Sequence, residues 1–339
     1  MTVRIIRDFK FKFYFPRTIV VILIISLCLI LISCGTRADI SDMTDTASDA
    51  ADDINNNHFF TFTDALGRSV TVGYNPASAV SLHGSYAEAW SLAGGTLVGV
   101  TRDVIDEDRQ VSGDNIIMVG TNRDPNLEEI LSLEPDFIIL SADMESQLKL
   151  DNTFTDAGIP HAYFSVDTWE DYISQMEIFC EITGRPDLYQ QNAASVGEEI
   201  QEIIKAVPET DNPPVVLLIR AYSTGLKVRG ADNQTGMILK DLGADNLADR
   251  DESLLEDLSL EIIMQEDPDF IFVTTMGDEN AAYEYLENGL FQNPAWNSLT
   301  AARNGHVIPL PKDLFHYKPN NRWSESYAYL SEILYGWRE

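Results

Sequence analysis

The sequence predicts an α/β protein of two similar lobes, each with a central parallel sheet, joined by a single long α-helix. A fifteen-residue pattern occurs twice, at residues 126–140 (NLEEILSLEPDFIIL) and 259–273 (SLEIIMQEDPDFIFV). In each copy a helical pattern meets Pro-Asp, which ends the helix, and then an apolar run that suits a strand buried on both faces. Residues 168–207, between the copies, show helical spacing and little strand pattern. Two similar lobes create a cleft; the alternative is two βαβ pieces within one larger sheet.

The N-terminal region has the pattern of a targeting segment. Five basic residues between positions 4 and 17 precede an apolar run at residues 18–32, the length of a signal-peptide core and short for a membrane-spanning helix. The run ends in LISCG at residues 31–35, which resembles the lipobox of bacterial lipoproteins. This resemblance implies cleavage before Cys34 and diacylation of its thiol; an uncleaved anchor is the alternative. Either way, we expect the body of the protein at the extracytoplasmic face of the cell membrane.

Composition sets the remaining limits. Residues 34–57 are rich in Asp, Ser, Thr, Ala and Asn and predict a disordered linker. The formal net charge of −31 argues against nucleic acid and anionic bilayers as partners. We expect a monomer. The predicted domains are a signal peptide (1–33), the lipidated cysteine with its linker (34–57), an N-terminal lobe (58–167), connecting helices (168–210) and a C-terminal lobe (211–339).

In the first lobe, strands and helices alternate, as is typical of a parallel sheet. Residues 60–72 predict a β-hairpin around Ala-Leu-Gly-Arg, and a helix is expected at 86–93 with Ser85 as its N-cap. The strands predicted after the hairpin, outside the repeat, lie at 79–82, 97–100, 116–119 and 159–165.

The connecting region predicts two helices with a bend at Gly184-Arg185-Pro186. The second of these, residues 187–206, would be about 30 Å long. One more crossover helix in a continuous sheet is the alternative. The second lobe follows with its own repeat copy, and its other predicted elements are strands at 215–219 and 306–309 and helices at 236–242 and 324–335.

Several segments in this order resemble one family, the substrate-binding lipoproteins of ABC importers for iron chelates, haem and vitamin B12. They are DALGRSVTV, SLHGSYAEAWSLAGGTLVGVT, the two repeats, the mid-chain helix and NPAWNSLTAARNGHVIPLP. The resemblance implies two Rossmann-like lobes bridged by one long helix, and a protein that binds and delivers rather than an enzyme. An extracellular enzyme on this scaffold is the alternative of another class, but the sequence has no G-x-S-x-G, H-E-x-x-H or Walker motif.

Two glutamates are candidates for contact with an ABC permease dimer. The family resemblance implies one exposed glutamate per lobe that meets arginines of one permease subunit, and the matching positions are Glu128 and Glu261. They stand at equivalent places in the two repeats, and charge pairs of this kind steer docking. The alternative is that each glutamate only favours the first turn of its helix.

The ligand is expected beyond the carboxyl ends of the strands, where open α/β sheets bind their ligands. The helix that follows the first strand offers free N–H groups to an anion at its N-terminus. The candidate ligand-binding residues are His83, Ser85, Tyr86 and Arg102 in the first lobe, Arg220 and Tyr222 in the second, and His316, Tyr317, Lys318, Arg322 and Trp323 after the last strand.

Cationic and aromatic groups together suit an anionic, aromatic chelate. A ferric siderophore or related Fe(III) chelate is the first hypothesis, as cargo and not as a resident cofactor. Haem would need an axial ligand, for which His83, Tyr86 and His316 are candidates, and a corrinoid remains open. A bare Zn²⁺ or Mn²⁺ site would need convergence of His83, His161, His316 and Asp103.

Overall fold

The computed structural model describes residues 58–251, 253–256 and 259–336. The predicted signal peptide, Cys34 and the linker lie outside the described residues. Asn57–Glu339 forms one compact unit. Within the described ranges, no helix combines the length and the apolar character needed to cross a bilayer.

The strands fall into two main sheets and two small hairpins. They are β1 (Phe59–Thr63), β2 (Ser69–Gly73), β3 (Ala79–Ser81), β4 (Gly99–Val100), β5 (Ile117–Met118), β6 (Gly120–Thr121), β7 (Asp124–Pro125), β8 (Phe137–Ser141), β9 (His161–Phe164), β10 (Val215–Tyr222), β11 (Gly225–Val228), β12 (Asp245–Asn246), β13 (Phe270–Thr275) and β14 (Val307–Pro309).

The helices cover the faces of the sheets and connect them. They are α1 (Gly84–Leu92), α2 (Asp103–Asp106), α3 (Leu127–Ser132), α4 (Glu145–Leu148), α5 (Asp151–Asp156), α6 (Trp169–Thr183), α7 (Pro186–Tyr189), α8 (Ser195–Lys205), α9 (Gln234–Asp241), α10 (Leu247–Arg250), α11 (Ser253–Glu256), α12 (Leu260–Glu266), α13 (Glu279–Leu286), α14 (Thr300–Asn304), α15 (Lys312–Phe315) and α16 (Trp323–Tyr335). π-helical segments occupy Gln190–Ala194 and Glu287–Phe291, and 3₁₀ turns occupy Trp296–Ser298 and Asn320–Arg322.

Each main sheet has the doubly wound pattern. The first has the order β5-β4-β3-β8-β9 with every pair parallel. In the second, β10 pairs in parallel with β12 on one edge and with β13 on the other, and β13 pairs with β14. The strand order reverses beside β3 in one sheet and beside β10 in the other. The two sheets are separate, so the alternative of one continuous sheet is wrong.

Alternating residues of the central strands enter different cores, as strands buried on both faces require. One core lies around α1, α6, α8 and α16 and takes residues from both sheets; the other face of each sheet has a core of its own. The shared core includes Phe137, Ile139, Val216, Leu218, Phe270 and Phe272, whereas Ile138 and Leu140 enter one outer core and Leu217, Ile219, Ile271 and Val273 the other.

The two copies of the repeat have the same local structure. The side chains of Asn126 and Ser259 cap α3 and α12 by accepting the backbone N–H three residues on. Glu134 and Asp267, at equivalent places before the proline, both adopt left-handed backbone, with φ of 46° and 43°. The matched backbone supports the reading of a duplicated unit.

The aspartate of each Pro-Asp pair ties its strand to the first strand of the sheet. The carboxylate of Asp136 accepts the backbone N–H groups of Ala77 and Ser78 at 2.7 and 2.9 Å. That of Asp269 accepts the N–H of Val215 at 2.9 Å. These bonds fix the register of the central strands at their N-terminal ends.

The connecting helix differs from the prediction in one respect. Residues 186–205 are helical throughout, but the run consists of α7, a π-helical segment and α8 rather than one uniform α-helix. The backbone carbonyl of Asn192 accepts the Tyr172 hydroxyl at 2.7 Å, and its side-chain amide donates to the carbonyl of Leu92 at 2.9 Å. The bond from Tyr172 engages a backbone carbonyl inside the π-helical segment, where the regular α-helical hydrogen-bond pattern is interrupted.

The second sheet also begins differently from the prediction. β10 continues to Tyr222 rather than ending at residue 219, and it turns back into the antiparallel strand β11. The pairs Ile219 with Val228 and Arg220 with Lys227 define this hairpin. Arg220 therefore belongs to the strand. Arg229 follows β11 and lies alongside β10, where its N–H donates to the carbonyl of Leu218 at 2.9 Å.

Candidate functional site

Residues 316–320 of the second lobe, which we call the bridging segment, contact the first lobe near the start of α1. This segment lies between α15 and α16 and contacts the first lobe. The side-chain amide of Asn320 donates to the carbonyl of Ser85 at 2.9 Å and to Glu88 Oε2 at 2.7 Å. Arg109 Nη1 donates to the carbonyl of Lys318 at 2.8 Å.

Lys318 adds a further tie between the lobes. Its ammonium donates to the carbonyl of Val166, just after β9, and to Asp167 Oδ1 at 3.1 Å. The Arg109 guanidinium also lies 5.8 Å from the centre of the Tyr317 ring. The bridging segment, which carries His316 and Tyr317, is therefore tied to the first lobe by several separate bonds.

The second lobe gathers four basic side chains around β10 and α15. Arg220 at the end of β10, Arg229 just after β11, and Lys312 and His316 around α15 influence one another electrostatically. Burial, followed by the charge of Arg229, lowers the pKa of Arg220. Burial, followed by the charges of Arg220 and Lys312, lowers the pKa of His316 to about 4. Four basic side chains share one small region of a strongly acidic protein.

Two guanidinium nitrogens in this cluster are buried and unsatisfied. Arg220 Nε and Arg229 Nε have no hydrogen-bond partner among the described residues, and neither does the Thr275 hydroxyl at the end of β13. Arg229 also forms an ion pair with Asp232 at 2.8 Å. Buried donors usually have partners, so unsatisfied donors beside like charges indicate a place where an anion would be stabilised.

The first lobe contributes His83 and Asp103. His83 Nδ1 lies 2.9 Å from Ser85 Oγ, and its ring stacks on Tyr86 with centroids 4.5 Å apart. Burial lowers the pKa of His83 to about 4, with the charge of Asp103 opposing the shift and those of Lys318 and Arg109 adding to it. The imidazole is therefore neutral at pH 7.

Asp103 is buried against the start of α1. Its Oδ2 accepts the Gly84 N–H at 2.6 Å and the Asn122 amide at 3.3 Å, whereas Oδ1 has no partner among the described residues. The predicted N-cap is wrong, because α1 begins at Gly84 and His83 occupies the cap position without a side-chain bond. An aspartate from α2 satisfies the first N–H in place of Ser85.

The structure places the predicted ligand residues in different surroundings. His83, Arg220, Tyr222, His316 and Tyr317 are half-buried around the strand ends. Three of the other candidates are buried: Tyr86 and Trp323 are in the core at 1% exposure, and Ser85 is fully buried. Two more have other partners, since Lys318 binds Val166 and Asp167, and Arg322 pairs with Asp313 and Glu325. Arg102 is exposed and lies beside Asp106.

The metal site that would need His161 is contradicted. His161 Nε2 lies 2.9 Å from Asp151 Oδ1 and its Nδ1 lies 2.8 Å from the carbonyl of Ile159, beside Arg68. No group of three or more His, Cys, Asp or Glu side chains within the described ranges is arranged to hold a metal ion.

Sequence reasoning missed Arg229 and Lys312. Arg229 depends on the β10–β11 hairpin, whose turn residues 223–225 (STG) are not among the predicted elements. A turn-forming run between two apolar stretches is a hairpin signal and would have indicated it. Lys312 lies four residues before the candidate His316 but is not among the predicted ligand-binding residues. Its ammonium donates to the carbonyl of Gly277 at 2.7 Å.

The low pKa values of the two histidines predict a pH dependence of stability. The pKa is about 4 in the folded protein for both His83 and His316, against 6.5 ordinarily. As the pH falls from 6.5 towards 4, the unfolded chain takes up these protons first, so the free energy of unfolding decreases. We expect His316→Gln to reduce that decrease in denaturant titrations at pH 7 and 4.5. The control is the same change at exposed His58, and equal pH dependence of His316→Gln and wild type would contradict the assignment.

Glu128 and Glu261 occupy equivalent exposed positions. Each is the second residue of its helix, α3 or α12, and each follows a capped N-terminus. Both side chains are exposed. This placement is compatible both with docking and with a local role at the helix start.

A family model described as "Periplasmic binding protein" matches residues 80–314, which include both main sheets and most of the basic cluster. The chain belongs to the periplasmic binding protein family. This confirms the family resemblance drawn from the motifs. The family is one of binding proteins for transport rather than a class of enzymes.

Relatives and solved structures agree with this membership. The Fe(3+)-citrate-binding protein YfmC of Bacillus subtilis is 27% identical over 250 residues, which cover 72% of this chain and 76% of that protein. The putative ABC transporter substrate-binding lipoprotein YhfQ of the same organism is 24% identical over 265 residues, covering 74% and 80%. The crystal structure of Staphylococcus aureus SirA complexed with staphyloferrin B has a TM-score of 0.61 at 20% identity and covers 82% of this chain and 97% of that one. That likeness shows the two-lobed α/β fold.

Proposed function

We propose that this chain is the extracytoplasmic solute-binding lipoprotein of an ABC importer, and that it captures an anionic Fe(III) chelate between its lobes. The observation that carries the proposal is the basic cluster of Arg220, Arg229, Lys312 and His316 around β10 and α15. An iron chelate with carboxylates would offer oxygens to the two arginines, whose Nε donors have no partner among the described residues. The name of YfmC supports this choice of cargo.

The proposed ligand set is smaller than the one predicted from sequence. It consists of Arg220, Arg229, Lys312, His316, Tyr222 and Tyr317 in the second lobe, with His83 opposite them. Tyr86, Trp323, Ser85, Lys318 and Arg322 are left out because their polar groups are buried in the core or already paired. Arg102 remains a candidate contact residue for a large chelate, because its side chain is exposed.

Haem is the second candidate, because one observation favours it. His316 has a pKa of about 4, so its imidazole is neutral at pH 7, and the neutral form is the one that ligates iron. The adjacent arginines would meet the propionates. We rank haem below the carboxylate chelate because the charges of Arg220 and Lys312 would stabilise any anionic ligand, whether or not His316 ligates its iron. No feature of the described residues favours a corrinoid.

Membrane attachment and delivery complete the proposal. The lipobox at residues 31–35 supports lipidation of Cys34, and a curated relative carries the name of a lipoprotein. Glu128 and Glu261 would meet basic residues of the two permease subunits, one in each lobe. Their equivalent, exposed positions support this role.

The test of cargo is thermal unfolding of residues 58–339 against ferric citrate, ferric carboxylate and catecholate siderophores, haem, cobalamin, free metal ions and iron-free citrate. A ligand at a hundredfold excess over its Kd stabilises the folded state by about 2.7 kcal/mol. We expect stabilisation by ferric carboxylate chelates and little by the iron-free acid. Stabilisation by haem alone would favour the second candidate. A folded, ligand-free protein that responds to none of these compounds would refute the choice of cargo.

A further inference from the structure

Each of the two short helices that carry the proposed docking glutamates also exposes a large apolar side chain. Leu131 in α3 is 37% exposed and Met264 in α12 is 41% exposed. In the alignment of the two repeats, Leu131 and Met264 occupy the same position, three residues after Glu128 and Glu261. Both belong to the small set of large apolar side chains that the described residues leave exposed.

The helical spacing places each apolar side chain beside its glutamate. Residues three apart on a helix are neighbours on the same face. The opposite face is the buried one, since Ile130 and Ile263 have no exposure and enter the outer core of each lobe. The outward face of a surface helix is normally polar, so an apolar residue on this face is not explained by packing within the lobe.

A single exposed leucine or methionine would need no explanation. Here, however, an exposed apolar side chain occurs at the same position in both lobes, although the sequences differ around it, with Glu129 against Ile262 and Ser132 against Gln265. The same pair of chemical groups, a carboxylate and an apolar side chain one turn on, is presented twice. A partner made of two like subunits would meet the same surface in each lobe.

We propose that Leu131 and Met264 are contact residues of the permease-docking surface, each entering an apolar depression beside the basic group that meets Glu128 or Glu261. This inference rests on the proposed function. Exposed charges mainly raise the rate of encounter and set the orientation, whereas buried apolar contacts slow dissociation. Methionine and leucine are well suited to such a depression, methionine because its thioether side chain adapts to irregular surfaces.

The partner is therefore a membrane protein dimer with a basic residue and a shallow apolar pocket on each subunit. The lipid surface is a weaker alternative, because a glutamate beside each apolar side chain opposes contact with anionic headgroups. A second copy of this chain would bring glutamate against glutamate. Both alternatives are outcomes of the experiment below.

The experiment uses the full-length chain in cells of its own source. A photo-crosslinking amino acid replaces the residue at position 131, at position 264 or, as control, at position 59. Phe59 is an apolar residue with 64% exposure outside both helices. We expect crosslinks from 131 and 264 to a permease subunit, identified by mass spectrometry, and none to it from 59. In a parallel set, Leu131→Ser with Met264→Ser should reduce iron-chelate uptake at least tenfold, while Phe59→Ser leaves it unchanged.

The glutamate variant separates the two levels of the proposal. If Glu128→Gln with Glu261→Gln abolishes uptake but positions 131 and 264 give no permease crosslink, docking stands and the apolar contact is refuted. If neither the crosslinks nor the glutamate variant points to a permease, both proposals fail. Crosslinks only to lipid, to a second copy of this chain or from one lobe alone would also overturn the inference. Melting temperature within about 2 °C of wild type confirms that the variants are folded.

Discussion

Replacing Arg220 with methionine is expected to weaken binding of a ferric carboxylate chelate on the order of 10- to 100-fold. A hydrogen bond from a charged group to a ligand contributes about 1.5–3 kcal/mol, and each 1.4 kcal/mol is tenfold in affinity. Methionine keeps an apolar stem of similar length but removes the guanidinium. Isothermal titration at fixed ionic strength measures the change, because the contribution of charge depends on salt.

The same substitution is expected to leave the ligand-free protein as stable as wild type or more stable. The Arg220 guanidinium is partly buried, its Nε has no partner among the described residues, and the charge of Arg229 acts against it. Removal of a poorly solvated charge beside a like charge relieves an unfavourable interaction. Opposite effects on affinity and on ligand-free stability would distinguish a binding residue from a structural one.

Arg322→Met is the matched control. Arg322 was predicted from the sequence to bind ligand, but it pairs with Asp313 at 2.8 Å and with Glu325 at 2.9 Å on the surface. We expect its replacement to change chelate affinity by less than about twofold, because its guanidinium is already paired, and to change stability little, since exposed ion pairs contribute little. Arg220→Lys adds a second comparison, because lysine keeps the charge without the planar fork. Equal affinities of Arg220→Met and wild type would place the ligand elsewhere.

The duplicated unit shows what the sequence determines well. Pro-Asp after an amphipathic run allows few local conformations, and an apolar run after it needs burial on both faces. The structure accordingly gives α3 and α12 the same caps and gives β8 and β13 central places in their sheets. Local chemistry and tertiary packing agree there, and such agreement makes a prediction from sequence dependable.

The site was less predictable because its residues depend on contacts between distant parts of the chain. Trp323 and Arg322 are adjacent in a basic and aromatic segment, yet one is in the core and the other is on the surface. Composition cannot decide between these outcomes, since the direction of each side chain follows from where α16 begins. Arg229 is not among the predicted residues because its position depends on β11, a strand of only four residues that gives a weak pattern in the sequence.

Asn320→Ala is expected to lower the free energy of unfolding by about 2–4 kcal/mol, which would be a large effect for one side chain. Asn320 is 1% exposed and its amide is shared between the carbonyl of Ser85 and the carboxylate of Glu88 in the other lobe. Loss of the amide removes a hydrogen bond to the buried carbonyl of Ser85, at about 1–3 kcal/mol, and one of the donors to Glu88, which keeps Arg109. The backbone of Asn320 is left-handed, with a φ of 53°. Asparagine tolerates this conformation, whereas alanine adopts it only at a cost of about 1–2 kcal/mol.

Two further variants separate these contributions. Asn75→Ala is the control for backbone strain, because Asn75 has a φ of 50° but is exposed. It should show only the smaller part of the effect. Asn320→Asp keeps the shape but sets a carboxylate against that of Glu88, so we expect the largest loss of the three. Denaturant titration at pH 7 measures all of them, and a loss for Asn320→Ala no greater than for Asn75→Ala would refute the interpretation.

The stability of this contact bears on ligand capture because the bridging segment carries His316 and Tyr317. If Asn320 holds the segment against the first lobe, its loss lowers the fraction of molecules in the binding-competent arrangement, and the apparent affinity for the chelate falls in proportion. Arg109 and Lys318 contribute separate bonds to the same contact, so the lobes should loosen rather than separate. Amide hydrogen exchange would then increase in α1 and in residues 316–320 of Asn320→Ala, and added chelate would reverse the increase. Faster exchange that chelate does not reverse would mean that the contact serves the fold alone.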